Sequence, residues 1–153
     1  MNINIIAVGS LKEKFYKDAC GEFLKRLSRF GKTQITEIDE CPGTGGMQDR
    51  EKEGLQIAKK IGRSDYVIAL CVEAGQYDSV QFAETIQKAG VDGHGAVTFL
   101  IGGSDGLSEE VKRHAHLRMS FSKMTFPHQL MRVILLEQVY RAMKIIHHES
   151  YHK

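Results

Sequence analysis

A glycine-rich segment in the C-terminal half of the chain has the composition of a ligand-binding turn. Residues 101–108, Ile-Gly-Gly-Ser-Asp-Gly-Leu-Ser, follow an apolar run and precede a segment of helical character. Paired glycines at the end of a strand let a ligand approach the backbone, at the edge where open α/β sheets bind ligands. Gly102 and Gly103 therefore predict one wall of a pocket, with a purely structural turn as the alternative.

The surroundings of this turn argue against ligands that carry phosphates. Neither the G-x-G-x-x-G dinucleotide fingerprint nor the G-x-x-x-x-G-K-[ST] nucleotide loop occurs in the chain. Ser108 is predicted to cap the next helix, and Glu109 and Glu110 in its first turn would repel a phosphate. A doubly wound enzyme that binds NAD or ATP is therefore a weaker alternative.

A second segment, residues 120–128 (Ser-Phe-Ser-Lys-Met-Thr-Phe-Pro-His), joins a weak fifth strand to a long apolar stretch. Pro127 favours the start of a helix and pushes the residues before it into extended conformations, which expose their backbone amides and carbonyls. Such a loop can form hydrogen bonds with the edge of a purine. A plain connection without a ligand is the alternative.

Other kinds of chemistry find no support in the residue pattern. No serine, histidine and acid trio can be placed, so hydrolysis by a triad is not expected. The pairs His114 and His116, and His147 and His148, lie among basic residues without the partners of a zinc site. We therefore expect no metal.

Basic residues are concentrated in the C-terminal third, although the formal net charge of the chain is only +2. A basic surface is the usual electrostatic feature of RNA-binding proteins, with a solvated face as the alternative. We expect Arg132, Arg141 and Lys153 to contact RNA.

The chain closes on Tyr151, His152 and Lys153, three residue types that suit an RNA substrate. An aromatic ring can stack on an unpaired base, a histidine can share a proton near neutral pH, and a lysine attracts phosphate. A frayed terminus is the alternative.

Short apolar runs alternate with segments of helical period, which predicts an α/β fold with a mostly parallel sheet covered by helices. The predicted strands are residues 2–8, 33–38, 66–72, 96–101 and, more weakly, 119–121. The third and fourth runs do not alternate with polar residues, which indicates central strands buried on both faces.

The last helix, predicted over residues 129–147, is apolar on nearly every face. A helix of this kind must be buried on all sides, and a chain of 153 residues has little room to enclose it. We therefore expect part of it to meet a second subunit, with a central helix inside a monomer as the alternative.

Length and composition indicate one globular domain over residues 1–153, with 42% hydrophobic and 26% charged residues. No apolar run approaches the ~20 residues that span a bilayer, and the N-terminus lacks the features of a secretory signal. We expect a cytoplasmic protein without membrane association. Cys20, Cys41 and Cys71 are expected to be reduced.

The glycine turn, residues 120–133, the closing Tyr151-His152-Lys153 and the N-terminal Ala7-Val8-Gly9 together resemble the RlmH (YbeA-like) family of SPOUT methyltransferases, over the whole chain. The resemblance implies a C-terminal trefoil knot, which general topology rules would exclude. It also implies a homodimer that uses S-adenosyl-L-methionine (SAM) and acts on ribosomal RNA. The family methylates N3 of a pseudouridine in helix 69 of the 23S ribosomal RNA.

Carried onto matching positions, the resemblance implies cofactor contacts at Leu70, Gly102, Phe121, Ser122, Lys123, Met124, Thr125 and Phe126. The N3–H of the acceptor base must lose its proton, so a base that works near neutral pH would help. His128 and His152 are the candidates, with Tyr151 beside the second. An RNA-binding module without activity and a SPOUT methyltransferase for a different nucleotide stay open as alternatives.

Overall fold

The computed structural model describes residues 1–41, 43 and 46–153, which form a parallel five-stranded sheet between two layers of helices. The strands are β1 (Asn2–Val8), β2 (Thr33–Ile38), β3 (Asp65–Leu70), β4 (Ala96–Ile101) and β5 (Leu117–Met119). The helices are α1 (Lys14–Leu27), α2 (Met47–Ala58), α3 (Ser79–Val91), α4 (Glu109–His114) and α5 (His128–Ile146). The α/β fold class is confirmed, whereas the trefoil knot stays a prediction from the resemblance.

The strands follow the order β2-β1-β4-β3-β5, with every neighbouring pair parallel. All six residues of β4 are buried, and β3 lies between β4 and β5. The prediction that the third and fourth apolar runs form inner strands is thus confirmed. The sheet directs the carboxyl ends of β3, β4 and β5, and the loops that follow them, to one edge.

The first, second and fourth strands have the predicted bounds, but the third and fifth do not. β3 ends at Leu70 rather than at residue 72, and β5 begins at Leu117 rather than at residue 119. The Cys71 N–H donates to the Met119 carbonyl at 2.9 Å, and the Ser120 N–H then turns to the Gly75 carbonyl at 2.9 Å. Hydrogen bonds between β3 and β5 determine where these two strands begin and end, and residue type alone does not reveal such bonds.

Two hydrophobic clusters occupy opposite faces of the sheet. One face packs against α1, α3 and α5 through alternate residues such as Ile3, Ile5 and Phe99. The other packs against α2 and α4 through Ile6 and Leu100. The period-two alternation of side chains along each strand thus divides the helices between two layers.

Helix α5 is buried along one side and half-buried along the other. It begins directly after Pro127, one residue before the predicted start. Leu135, Leu136 and Val139 have no exposed surface, whereas Ile134 is only half-buried within this chain. The apolar residues on its outer side are therefore available for the second subunit, whose presence stays a prediction.

Two further observations bear on the class of protein. Within the part of the chain that the structure describes, no helix is long and apolar enough to cross a membrane. Over the same residues, no group of three or more His, Cys, Asp or Glu side chains is placed to hold a metal ion.

Candidate cofactor site and active site

A cavity of about 280 Å³ opens where the carboxyl ends of β3, β4 and β5 meet. Its walls come from the loops after these three strands and from the first turn of α5. The sequence-predicted residues that line it are Leu70, Gly102, Gly103, Phe121, Ser122, Met124, Thr125, Phe126 and His128. The fold therefore brings both predicted segments into one site.

The glycine turn also needs small residues because of its own packing. A β-carbon on Gly102 would lie 2.5 Å from the backbone carbon of Gly106, and one on Gly103 would lie 3.1 Å from both Val8 and Glu40. Gly106 itself has a φ of 79°, which favours glycine. Contact with the backbone of the turn itself therefore excludes a side chain at Gly102, whereas one at Gly103 would require Val8 and Glu40 to shift by a few tenths of an ångström.

Glu40 holds the glycine turn from the far side of β1. The Ser104 hydroxyl donates to its Oε1 at 2.6 Å, and the Ser104 N–H approaches the same oxygen at 3.4 Å. These hydrogen bonds hold the pKa of the Glu40 carboxyl below its usual value. Sequence reasoning missed this residue because an exposed acid after an edge strand gives no local signal of a partner 64 positions away.

The second loop is folded by its own serines. The Ser120 hydroxyl donates to the Ser122 carbonyl at 2.9 Å, and the Met124 N–H donates to the Ser122 hydroxyl at 3.0 Å. Phe121 meets Phe82 of α3 edge-on, with ring centroids 5.6 Å apart. The loop therefore presents an anchored aromatic wall, while Lys123 is exposed at its outside.

Charged side chains surround the mouth of the cavity. Lys112 Nζ lies 2.7 Å from Glu73 Oε1 and 3.3 Å from Glu109 Oε1. Burial opposes the charge of Lys112, but these carboxylates raise its pKa, and Lys112 in turn lowers the pKa of Glu73. Lys112, Glu73 and Asp105 all line the cavity, which has both signs of charge at its rim.

His128, the first residue of α5, contributes its ring to the wall of the cavity. Its Nε2 lies 3.2 Å from the position of a β-carbon on Gly9, so the imidazole packs against the bare backbone after β1. Gly9 has a φ of 89°, in the region that glycine adopts without strain. Among the predicted bases, His128 is the one that the fold places at the cavity.

The C-terminal tail is attached to α5. The Tyr151 hydroxyl donates to Glu137 Oε1 at 3.0 Å, and the Arg141 guanidinium lies 4.8 Å from the centroid of the Tyr151 ring. Burial, with the bond to Glu137, raises the pKa of the Tyr151 phenol. His152 lies 3.4 Å from Arg141 and lines a second cavity, which shares Phe121 and Phe126 with the first.

The three residues assigned to RNA have different positions. Lys153 is exposed, and Arg141 is half-buried in its pair with Glu137. Arg132 is 0% exposed. An arginine without surface cannot reach a phosphate backbone, so the assignment of Arg132 to the RNA surface is corrected: its positive charge suggested the surface, but its neighbours enclose it.

Comparison with known proteins identifies the class to which this chain belongs. A family model described as a predicted SPOUT methyltransferase matches residues 1–152. Two solved structures share the fold: a probable methylase family protein from Haemophilus influenzae, with a TM-score of 0.56 at 13% identity, and a putative methyltransferase from Legionella pneumophila with bound SAM, with a TM-score of 0.50 at 13% identity. The alignment with the Haemophilus influenzae protein covers 99% of this chain and 70% of the other, and the alignment with the Legionella pneumophila protein covers 93% and 66%. At this sequence identity the similarity concerns the fold alone.

Within the SPOUT methyltransferases, the chain belongs to the RlmH family. It is 48% identical to proteins named ribosomal RNA large subunit methyltransferase H from Bifidobacterium animalis subsp. lactis and, as methyltransferase H 1, from Clostridium perfringens. A relative of the same name from Streptococcus thermophilus is 45% identical. Each alignment covers 100% of both chains.

Proposed function

We propose that this protein transfers a methyl group from SAM to N3 of a pseudouridine in helix 69 of the 23S ribosomal RNA. The observation that carries the proposal is the cavity built by the loops after β3, β4 and β5, with His128 in its wall. Family membership supports the reaction class, and the names of the relatives support the large-subunit RNA as substrate. The particular nucleotide is inferred from the resemblance to the family.

The residues of the cavity suit the chemical parts of SAM. Leu70, Phe121 and Phe126 offer apolar surface for the adenosyl group, as small-molecule sites usually do. Lys112 and Glu73 at the mouth match the carboxylate and ammonium of an amino acid. The described loops contain no glycine cradle of the kind that binds phosphates.

Once bound, SAM supplies a methyl group that is already activated by its sulfonium. The task of the protein is to hold the acceptor nitrogen in line with that methyl group and to exclude water. We propose His128 as the group that accepts the N3 proton on a ring nitrogen, and its position in the wall of the cavity supports this role. The alternative groups for the acceptor base are His152, which lines the second cavity, and Tyr151, which precedes it in the tail.

We further propose that the active form is a cytoplasmic homodimer. The half-buried outer side of α5 would lie between the subunits, and Arg141 and Lys153 would bind the RNA backbone. In this arrangement the basic tail of one subunit can hold RNA against the cofactor cavity of the other.

Two measurements on the purified protein test the proposal. Calorimetric titration with S-adenosylhomocysteine is expected to give one site per chain, whereas NAD and ATP give none. Tritiated SAM with ribosomes from a strain that lacks the enzyme is expected to label only the 23S RNA, and mass spectrometry then locates the methyl group at N3 of one pseudouridine.

Each alternative has its own outcome in these experiments. Ribosome binding without cofactor binding would indicate an RNA-binding module without activity. Methyl transfer to another position would retain the enzyme class and overturn the target. Free 23S RNA and assembled ribosomes are compared in parallel, because the proposed contacts do not decide which of them is recognised.

A further inference from the structure

Arg132 is the largest fully buried side chain of the described residues. Its Nη2 donates to the carbonyl of Gly9, and its Nη1 lies 3.5 Å from Glu37 Oε1. Neither its Nε nor its Nη1 has a hydrogen-bond partner among the residues that the structure describes. A buried cation with unused donors is costly, so stability alone is a poor explanation for its position.

The contact with Gly9 connects this buried charge to the active site. Gly9 donates its N–H to the Ile38 carbonyl at 2.7 Å, and its carbonyl accepts from Arg132. Its α-carbon faces the His128 ring, since a β-carbon there would lie 3.2 Å from Nε2. Gly9 is therefore held on two sides and forms the surface against which His128 rests.

The two side chains also share one helix. His128 and Arg132 are four residues apart, so they lie on the same side of the first turns of α5. The Lys12 N–H donates to Gln129 Oε1 at 3.2 Å, which is a second link between the turn after β1 and the start of α5. The position of His128 relative to Gly9 thus depends on bonds that cross this small interface.

We propose that Arg132 is a positioning residue that, through Gly9, fixes the His128 ring at the wall of the cofactor cavity. The inference rests on the proposed function, in which His128 accepts the proton. Burial of Arg132 excludes direct contact with RNA, and its guanidinium is not among the groups that line the cavity. Its effect on catalysis must therefore pass through the placement of another residue.

The first experiment compares Arg132→Met with the wild type in methyl transfer to ribosomes. We expect kcat to fall roughly tenfold or more while the Kd for SAM and the KM for ribosomes change less than about twofold. Arg132→Lys keeps the positive charge but replaces the planar guanidinium fork with a single ammonium nitrogen, and it is expected to be intermediate. Val139→Ala is the control for a destabilised α5, because Val139 is buried about two helical turns beyond Arg132, and its kcat is expected to stay near the wild-type value.

A double-mutant cycle separates positioning from a general loss of structure. In the His128→Ala background, Arg132→Met is expected to have almost no further effect on kcat, because the residue that it positions is gone. Equal effects in both backgrounds would overturn the proposal.

The ¹⁵N NMR signals of the His128 ring give a readout that does not depend on activity. Wild type is expected to show one set of signals, and Arg132→Met a shifted or exchange-broadened set. Unchanged signals together with unchanged kcat in either Arg132 variant would also refute the inference. If Arg132→Met does not fold, Arg132→Lys carries the same measurements. Absence of methyl transfer in the wild type would instead count against the proposed function, while the NMR comparison still tests the placement of His128.

Discussion

At the scale of single residues, the site depends on contacts between positions that are distant in the chain. Glu40 accepts two hydrogen bonds from Ser104 and approaches Gly103, so one carboxylate holds the glycine turn against β1. The ion pair of Lys112 with Glu73 likewise connects α4 to the loop after β3 at the rim of the cavity. These groups shape the cavity although neither belongs to a recognisable motif.

Removing the Glu40 carboxylate is expected to loosen the glycine turn. Glu40→Ala should weaken SAM binding by roughly fivefold, since a net hydrogen bond contributes about 1 kcal/mol. Glu40→Gln keeps an oxygen for the Ser104 hydroxyl and should be closer to wild type. Glu51→Gln, a change to an exposed acid on α2, is the matched control. Calorimetric affinities equal in all four proteins would contradict the role of Glu40.

The lowered pKa of the same carboxylate predicts the pH range in which Glu40 can affect the protein. Hydrogen bonds from Ser104 lower the pKa of Glu40 in the folded protein. The charged carboxylate therefore stabilises the folded protein fully above the ordinary glutamate pKa of about 4.3. This stabilisation is lost as the pH falls through the lower pKa that Glu40 has in the folded protein. Glu40 stays charged from pH 5 to 8, so we expect it to cause no change of SAM affinity with pH in this range. Glu40→Gln should therefore leave the pH profile of SAM affinity unchanged between these values.

At the scale of elements, α5 takes part in the core, in the proposed cofactor cavity and in the proposed dimer interface. Leu135 and Val139 are fully buried within the chain, so a charge at either is expected to unfold the protein rather than to give folded monomers. Ile134 is half-buried and is therefore the better position at which to test the interface.

Ile134→Glu is expected to give a folded monomer that has lost methyl transfer. The reason is that dimer formation would bury the new carboxylate without a partner, at a large cost in free energy. Sedimentation at micromolar concentration measures the change, and circular dichroism checks the fold. Val91→Glu, at a position that is 82% exposed at the end of α3, is expected to stay dimeric and active. A monomeric wild type in the same experiment would refute the homodimer.

At the scale of the whole molecule, the tail connects the end of the chain to α5 and to the second cavity. Tyr151 packs against Tyr140 with ring centroids 4.9 Å apart and is bonded to Glu137, so the terminus is held in place. His152, next to Tyr151, lines the second cavity with Phe121 and Phe126, two residues that also line the proposed cofactor cavity. The proposed role of the tail is therefore toward RNA at this second cavity.

Deletion of residues 151–153 is expected to leave folding and SAM affinity nearly intact. Methyl transfer to ribosomes should fall at least roughly tenfold, equivalent to about 1.4 kcal/mol of transition-state stabilisation. Deletion of Lys153 alone separates the loss of charge from the loss of Tyr151 and His152. Full activity of the enzyme without these three residues would show that the tail has no role in methyl transfer.

The sequence alone determined the features that arise from local patterns. The sequence pattern defined β1, β2 and β4 to the residue. The two inner strands β1 and β4 are mostly or fully buried, so few polar positions obscure their ends, whereas β2 at the edge of the sheet alternates polar and apolar residues. Pro127 marked the start of α5, and the two loops around the cavity were recognised from glycines, serines and a proline. The expected cofactor and the expected target nucleotide are contained in no local pattern and came from the resemblance to the family.

Only the tertiary structure decided which residues meet and which are exposed. Arg132 was predicted to lie at the surface because its charge is visible in the sequence, whereas the structure buries it near Cys20 of α1, Glu37 of β2 and Gly9 after β1. The contact of Gly9 with His128 joins positions 119 residues apart, and that of Glu40 with Ser104 joins positions 64 apart. Such pairs depend on the packing of the whole sheet, so their geometry cannot be derived from the preferences of either residue alone.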